Sequence, residues 1–229
     1  MCSSDLKDFE SRFRRKPEGM WLAETAVDTE SLEVLAENGI RFTILAPRQA
    51  EAVRLKDSVD WQEVNEHSLN TRKAYRCNLP SGKSIDLFFY DGDASQSIAF
   101  NGLLYDGRNF AERLVGELDR NGEQPQLIHV ATDGETYGHH HRHGDMALSF
   151  CLDFIDKDPR ARLTNYSQFL SLFPPVDEVK IRERTSWSCY HGVERWREDC
   201  GCHSGGKPEW NQKWRRPLDR KSTRLNSSH

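Results

Sequence analysis

The 229-residue sequence has no long apolar run and no excess of charge of either sign. No apolar stretch approaches the roughly 20 residues that a membrane helix needs. Lys and Arg number 32 against 36 Asp and Glu, so the basic surface typical of nucleic-acid or anionic-membrane binding is not expected. The mean hydropathy of −0.78 is low, but six Trp and eleven Phe argue against disorder. The composition therefore predicts a globular protein that binds neither nucleic acid nor membrane.

Cysteine is also too sparse for a disulfide scaffold, with six residues spread over the whole chain. Cys77 and Cys151 are typical of half-buried thiols, and no secretory signal follows Met1. These features favour a reducing compartment, and we expect a cytoplasmic location.

The two ends of the chain resemble a translated sequencing adapter. Residues 219–229 (Asp-Arg-Lys-Ser-Thr-Arg-Leu-Asn-Ser-Ser-His) match one strand, and the opposite strand, started at GTG, gives residues 1–6 (Met-Cys-Ser-Ser-Asp-Leu). Because one DNA explains both ends, we interpret residues 1–6 and 219–229 as adapter-derived. Residues 7–218 are then expected to be an internal piece of a longer reading frame.

The first part of this piece has the pattern of a βαβ unit, which predicts an α/β fold with a parallel sheet. The charged segment 7–16 predicts a helix, and residues 19–23 form an apolar run typical of a buried strand. Asp28 is a good N-cap for a helix that ends at 38–39, and residues 40–45 predict the next strand.

Further along the chain the pattern is less regular. Residues 48–82 predict a polar excursion or small hairpin, and the remaining segments predict further elements. These are a strand at 84–90 that ends in a turn at 91–93, a helix at 110–118, a strand at 127–131, and an amphipathic helix that Asp145 caps and that runs through Met146, Leu148, Phe150, Leu152 and Phe154.

Two carboxylates follow two of the predicted strands: Glu24 after the first and Asp133 after the strand at 127–131. In parallel α/β barrels the carboxyl ends of the strands form the active face. Glycoside hydrolysis needs a pair of carboxylates, about 5–5.5 Å apart when the configuration is retained. Trp21 and Trp187 suit stacking against sugar rings. The alternative is that Glu24 begins a turn and Asp133 caps a loop.

Three segments strengthen the catalytic interpretation. Residues 19–26 (Gly-Met-Trp-Leu-Ala-Glu-Thr-Ala) resemble the third signature motif of glycoside hydrolase family 57, which carries the nucleophile. Residues 133–140 (Asp-Gly-Glu-Thr-Tyr-Gly-His-His) are similar to the fourth motif, whose first Asp is the acid/base. Residues 186–196 resemble the last motif of a bacterial subgroup with an uncharacterised C-terminal extension. The motifs occur in the family order.

The resemblance implies an incomplete (β/α)7 barrel and a retaining enzyme that acts on α-glucans, as an α-amylase, 4-α-glucanotransferase or branching enzyme does. Glu24 would be the nucleophile and Asp133 the acid/base. The matching motifs also suggest six substrate-binding residues, namely Trp21, Glu135, His139, His140, Trp187 and His191. No cofactor and no metal are expected, and the partner would be an oligo- or polysaccharide.

The resemblance also implies that part of the enzyme is missing. The first and second family motifs have no counterpart here, so residues 7–218 would be a partial catalytic domain that includes the start of the extension. The barrel would lack its N-terminal strands. We therefore expect activity from the parent protein, and an inactive and poorly stable chain as written.

Other interpretations remain open. Glu135 could replace Asp133 as the acid/base, and the protein could be an inactive carbohydrate-binding relative. Cys189, Cys200, Cys202 and His203 could form a metal-binding domain, although their spacing is not a standard zinc pattern. The histidine run at 139–143 is a weaker metal candidate, because consecutive side chains point in different directions.

Overall fold

The computed structural model describes residues 3–119, 121–122, 124–202 and 211–217. Within these residues the chain forms a mixed α/β fold around one seven-stranded sheet. The strands are β1 (Gly19–Met20), β2 (Phe42–Leu45), β3 (Ala50–Arg54), β4 (Gln62–Glu63), β5 (Ala74–Asn78), β6 (Ser84–Phe89) and β7 (Glu178–Ile181). The helices are α1 (Ser3–Phe13), α2 (Thr29–Glu37), α3 (Gly92–Phe100), α4 (Gly107–Gly116), α5 (Gly144–Lys157), α6 (Tyr166–Leu172) and α7 (Glu194–Arg197).

The βαβ unit is present as predicted. Strands β1 and β2 are parallel, and α2 connects them. The Asp28 carboxylate accepts a hydrogen bond from the Ser31 amide at 2.8 Å, which satisfies one of the free N–H groups at the start of α2. Strand β1 is shorter than predicted because the chain turns away after Met20 and forms a 3-10 turn at Ala23–Thr25.

The sheet is mixed, so the expectation of a parallel sheet is only partly right. The strand order is β1-β2-β6-β5-β7-β3-β4, with β1, β2 and β6 parallel to one another and β5 antiparallel to β6. The predicted excursion at 48–82 is wrong, because this segment supplies β3, β4 and β5 to the sheet; the alternative of a small hairpin is present in part, since β3 and β4 pair antiparallel. Tyr75 and Cys77 on β5 are buried, while Arg76 between them pairs with Asp86 of β6. Polar residues on one face of this strand concealed its pattern.

Residues 127–131 are extended, but they do not form the strand that the sequence predicts. The Leu127 amide donates to the Arg72 carbonyl at 2.8 Å, and the His129 carbonyl accepts from the Asp91 amide at 2.9 Å. The Ala131 amide donates to the Ser95 hydroxyl at 3.1 Å. These bonds fix the segment beside the carboxyl end of β6, and its last residue, Ala131, is two residues before Asp133.

Two helix predictions need correction. Residues 91–93 are not a free turn, because the Asp91 side chain caps α3. Helix α5 begins at Gly144 after His143, so Asp145 lies in its first turn and does not cap it; its buried residues include Ala147, Cys151 and Ile155, while Met146, Phe150 and Leu152 are exposed. Helices α4 and α5 pack closely, since a Cβ on Gly107 would lie 3.0 Å from the Ala147 carbonyl oxygen. Small residues therefore define the buried face of α5.

The core consists of three clusters that the sheet and helices separate. Alternate residues of the strands enter different clusters: Leu45 and Tyr75 pack on one face with α2, whereas Ile44 and Phe88 pack on the other face with α6. The third cluster lies among α3, α4 and α5. Within the described residues no helix is long and apolar enough to cross a membrane.

Candidate functional site

The carboxyl ends of β1, β2 and β6 lie at one edge of the sheet, because the three strands are parallel and adjacent. Glu24 follows β1, Gln49 follows β2 and Tyr90 follows β6. In sheets of this kind ligands bind beyond the carboxyl ends of the strands. This edge of the sheet is therefore the candidate functional site.

Glu24 lies in an unusual turn. Its φ is 57° and that of Thr25 is 48°, so two consecutive non-glycine residues adopt the left-handed conformation. Such a conformation costs energy, above all for a β-branched residue, and it persists only when the surroundings enforce it. Thr25 is fully buried, whereas the Glu24 side chain is exposed. The turn therefore presents the Glu24 carboxylate to solvent from a backbone that is held below it.

The side chain of Gln49 holds this turn. Gln49 is fully buried, and its amide nitrogen donates to the Thr25 carbonyl at 2.8 Å and to the Thr185 hydroxyl at 3.1 Å. Its amide oxygen accepts from the Thr25 hydroxyl at 2.9 Å and from the Ala46 amide at 2.8 Å. One neutral side chain thus joins the Glu24 turn, the end of β2 and the segment around Thr185. Sequence reasoning missed Gln49, for which the position just after β2 was the one available signal.

Trp187 contacts the Glu24 carboxylate and Trp21 packs against Trp187, and the predicted role of both rings in substrate binding stays a prediction. The Trp187 indole N–H donates to Glu24 Oε2 at 3.2 Å, and the Trp187 amide donates to the Glu24 carbonyl at 3.1 Å. Trp21 meets Trp187 edge to face, with ring centroids 5.1 Å apart. Tyr90 adds a third ring, 6.1 Å from Trp187. An exposed carboxylate against aromatic rings is an arrangement that can bind a sugar and act on it.

The segment that carries Trp187 crosses the edge of the sheet and is fixed on both sides. Thr185 and Val27 exchange two backbone hydrogen bonds of 3.0 and 3.1 Å. The Arg48 guanidinium donates to the Ser186 carbonyl at 2.6 Å and lies 4.4 Å from the centre of the Tyr190 ring. The position of Trp187 is therefore determined by contacts with the ends of β1 and β2.

Asp133 lies in a different setting. It precedes a 3-10 turn at Gly134–Thr136, its side chain is exposed, and its carboxylate does not cap that turn. The loop is closed by the Thr132 hydroxyl, which donates to the Tyr137 hydroxyl at 3.1 Å. Ala131, two residues before Asp133, packs against the apolar cluster that contains Phe88. Trp187, which contacts Glu24, packs against the same cluster.

Glu135, His139 and His140 form the exposed part of the same loop. The Glu135 carbonyl accepts from the amides of His139 and His140 at 3.1 and 2.9 Å. The two imidazole rings lie 5.0 Å apart. His141 turns away and contacts the Ala99 carbonyl through Nε2 at 2.8 Å. Within the described residues no group of three metal-binding side chains forms around this histidine run.

His129 lies beneath the loop and is the buried titratable group of this region. Its Nδ1 is 3.0 Å from the Tyr166 hydroxyl, and its ring packs edge to face on Phe88. Burial lowers the pKa of His129 to about 4, because the cationic form would lose its hydration. Burial also raises the pKa of Tyr166 to about 12. Both side chains are therefore neutral near pH 7.

The structure places His191 with the cysteines of the C-terminal segment. Its Nδ1 lies 3.2 Å from Cys202 Sγ and 3.7 Å from Cys189 Sγ, and Cys200 joins the same group. Sequence reasoning grouped the three thiols with His203, which lies outside the described residues. It assigned His191 to the substrate instead, and that assignment stays a prediction.

Comparisons with known proteins give the family and the fold of the chain. The model of glycosyl hydrolase family 57 matches residues 5–182. None of the curated protein sequences matches the chain. Among solved structures, the exo-type maltose-forming amylase from Pyrococcus sp. ST04 is similar with a TM-score of 0.72 and 17% identity, over 97% of this chain and 40% of that protein.

Two further solved structures share the fold. The 4-alpha-glucanotransferase from Thermococcus litoralis gives a TM-score of 0.61 at 20% identity, over 86% of this chain and 28% of that protein. The GH57-type branching enzyme from Pyrococcus horikoshii gives 0.63 at 17% identity, over 83% and 44%. The chain therefore spans less than half the length of each of these proteins.

The mixed α/β fold of the chain is shared with these three proteins. With a family model that matches well over half of its residues, the chain belongs to glycosyl hydrolase family 57.

Proposed function

We propose that this chain carries the catalytic carboxylates of a retaining enzyme that acts on α-glucans, either by hydrolysis or by transfer to an acceptor sugar. The observation that carries the proposal is the Glu24 carboxylate, presented by an enforced turn and contacted by Trp187. Similarity to an amylase, a glucanotransferase and a branching enzyme supports the substrate class.

In the proposed mechanism Glu24 attacks the anomeric carbon while Asp133 gives a proton to the departing glycosidic oxygen. The C–O bond to the leaving group breaks as the ester bond to Glu24 forms. Asp133, now a carboxylate, takes a proton from water or from an acceptor hydroxyl. That oxygen then attacks the anomeric carbon, and Glu24 leaves as a carboxylate. Two inversions give net retention.

The substrate-binding roles follow from the same geometry. Trp21 and Trp187 offer ring faces and edges beside Glu24, which suits the apolar face of a glucose ring. Glu135, His139 and His140 lie on the exposed loop that follows Asp133 and offer hydrogen bonds to sugar hydroxyls. We further propose that the seven-stranded sheet is part of an incomplete (β/α)7 barrel whose remaining strands lie outside this chain.

The test uses a reading frame extended on both sides of this chain, since the chain spans less than half of its structural relatives. A fluorinated α-glucosyl fluoride should trap the covalent intermediate, and peptide mass spectrometry should place the label on Glu24. Glu24→Gln should lower the activity on maltooligosaccharide by a factor of at least about 10³ and abolish labelling.

Glu30→Gln is the matched control, because Glu30 is an exposed carboxylate on the adjacent helix α2. It should keep both the activity and the label. A label on another carboxylate would overturn the nucleophile assignment. An active enzyme whose first product is the inverted anomer by NMR would overturn the retaining mechanism, and a folded but inactive enzyme would indicate a carbohydrate-binding relative.

A further inference from the structure

Three thiols and one imidazole converge near the C-terminal end of the described chain. Cys189 and His191 come from the segment that follows Trp187, and Cys200 and Cys202 come from a second segment after α7. The four ligand atoms all lie within 4.8 Å of one another. Cys189 Sγ is 3.3 Å from Cys202 Sγ, and His191 Nδ1 is 3.2 Å from Cys202 Sγ.

These separations are in the range of the edges of a tetrahedron of zinc ligands. With Zn–S bonds of about 2.3 Å, two thiolates on one ion lie about 3.8 Å apart, and a thiolate and an imidazole nitrogen lie about 3.6 Å apart. The two Cys202 distances, 3.2 and 3.3 Å, are about 0.4–0.5 Å shorter than these values, and the Cys189–His191 distance of 3.7 Å is about 0.1 Å longer. Three cysteines and one histidine are also one of the common ligand sets of structural zinc.

The backbone around the four residues is arranged to bring them together. Gly192 follows His191 with φ at 60°, and a Cβ there would lie 2.0 Å from the Arg184 carbonyl oxygen, so only glycine fits. Gly201 separates Cys200 from Cys202 with φ at 75°, which turns the chain between the two thiols. The His191 amide donates to Cys189 Sγ at 3.4 Å, a contact that favours a thiolate.

We propose that Cys189, His191, Cys200 and Cys202 bind one Zn²⁺ ion in a closed structural site. Four protein ligands complete a tetrahedron and leave no position for water or substrate, which is the property of structural rather than catalytic zinc. The proposal departs from the expectation that the chain binds no metal, and it replaces His203 by His191 in the ligand set.

A zinc ion at this site would also affect the edge of the sheet where Glu24 lies. Cys189 is two residues from Trp187, whose indole N–H contacts the Glu24 carboxylate. A zinc ion would join the segment that carries Trp187 to the segment at 200–202. It would therefore fix the segment after Trp187, in addition to the contacts that Thr185 and Arg48 make.

The test measures metal in the purified full chain, expressed in zinc-supplemented medium without chelator, by elemental analysis. One zinc per chain is expected. Cys200→Ser and His191→Ala should each lower the zinc content several-fold. Cys151→Ser and His67→Ala are the matched controls, because Cys151 is a buried thiol of α5 and His67 an exposed imidazole, and both should keep the full content.

Protein without zinc, or with iron in its place, would overturn the proposal. So would a loss of two mass units that thiol reduction reverses, because it would show a disulfide between two of these cysteines. If the substituted chains do not fold, the wild-type chain still decides the question. Exchange with Co²⁺ should then give the visible bands of a tetrahedral thiolate complex, and their absence would count against the site.

Discussion

Glu24 and Asp133 are held in opposite ways, although both are proposed to act on the same bond. The Glu24 backbone is in the left-handed conformation, its neighbour Thr25 is buried, and its carboxylate accepts a hydrogen bond from Trp187. Asp133 follows an extended segment without a strand ladder, and its exposed carboxylate does not cap the turn that it precedes. Both carboxylates are exposed, but a buried network holds the backbone of the Glu24 turn and Trp187 contacts its carboxylate, whereas the Asp133 carboxylate does not cap its own turn.

The difference fits the two chemical roles. A nucleophile must meet the anomeric carbon at one angle, so a fixed position lowers the entropic part of the barrier. An acid/base must follow a proton to the leaving group and then to the acceptor, and its hydrogen bonds often tighten only when the substrate is bound. The comparison therefore supports Glu24 as nucleophile and Asp133 as acid/base, and three experiments test it.

The largest expected effect is a loss of activity that depends on the leaving group of the substrate when Asp133 is replaced, but not when Glu24 is replaced. In the extended reading frame Asp133→Ala should lower the activity on maltooligosaccharide by about 10²–10⁴-fold, because a sugar oxygen leaves poorly without a proton. With a glucosyl fluoride, whose leaving group needs little protonation, the first step should be nearly unaffected. Glu24→Ala should lower the rate on both substrates.

The measurement is the rate of sugar release and of fluoride release by each variant. Asp145→Ala is the control, since Asp145 is exposed in the first turn of α5, close to the same loop. Equal losses on both substrates for Asp133→Ala would contradict the acid/base role. If Glu135→Ala instead showed the leaving-group dependence, the acid/base would be Glu135.

The next effect concerns the network under Glu24. Gln49→Leu keeps the approximate volume but leaves the Ala46 amide and the Thr25 carbonyl without their partner. Each buried polar group that loses its partner costs about 1–3 kcal/mol, so we expect a loss of about 3 kcal/mol in the free energy of unfolding.

Urea denaturation followed by circular dichroism would measure this loss. Gln96→Leu makes the same change at an exposed position of α3 and should leave the free energy of unfolding within about 0.5 kcal/mol. A Gln49→Leu protein as stable as the control would show that the left-handed turn does not depend on this network.

The smallest expected effect is a pH dependence of the free energy of unfolding that arises from His129, in the segment before Asp133. The folded-state pKa of His129 is about 4, whereas an imidazole in the unfolded chain titrates near 6.5. Between these values the unfolded chain binds more protons than the folded chain. The contribution of His129 to the free energy of unfolding is therefore fully present above pH 6.5 and is lost as the pH falls toward 4. At pH 5 the loss is about 2 kcal/mol.

Denaturation midpoints between pH 4.5 and 7.5 would measure this slope in the wild type and in His129→Gln. The variant should lose most of the slope, whereas His67→Gln, which changes an exposed imidazole, should keep it. Hydrogen exchange at pH 5 should increase in residues 127–137 before it increases around Glu24, because the Gln49 network carries no titratable group. Exchange that rises in both regions together would remove the distinction.

The sequence predicted those parts of the molecule that depend on local patterns. Asp28 and the apolar spacing of Leu32 and Leu35 define α2 and its ends, and the apolar run at 84–90 defines β6. The family motifs named Trp21 and Trp187 as substrate-binding residues, which stays a prediction; the contact between their rings is known from the structure alone.

The parts that it did not predict depend on contacts between distant residues. Strands β3 and β7 carry charged side chains and gain their stability from each other, so neither has a clear pattern alone. Gln49 acts through Thr25 and Thr185, and nothing in its own neighbourhood indicates that. The grouping of His191 with Cys202 required the turn at Gly192, since sequence spacing alone favoured the adjacent His203.

The place of β7 in the sheet has a consequence for how the protein is made. Strand β7 lies between β5 and β3, so in the sheet as described it joins the part that contains β1, β2, β6 and β5 to the part that contains β3 and β4. Residues 178–181 leave the ribosome about 100 residues after β5. During that interval two strand edges have free N–H and C=O groups, which are templates for pairing with other chains. Slow or interrupted synthesis should therefore yield aggregates, and a chaperone that covers exposed strand edges should raise the soluble fraction.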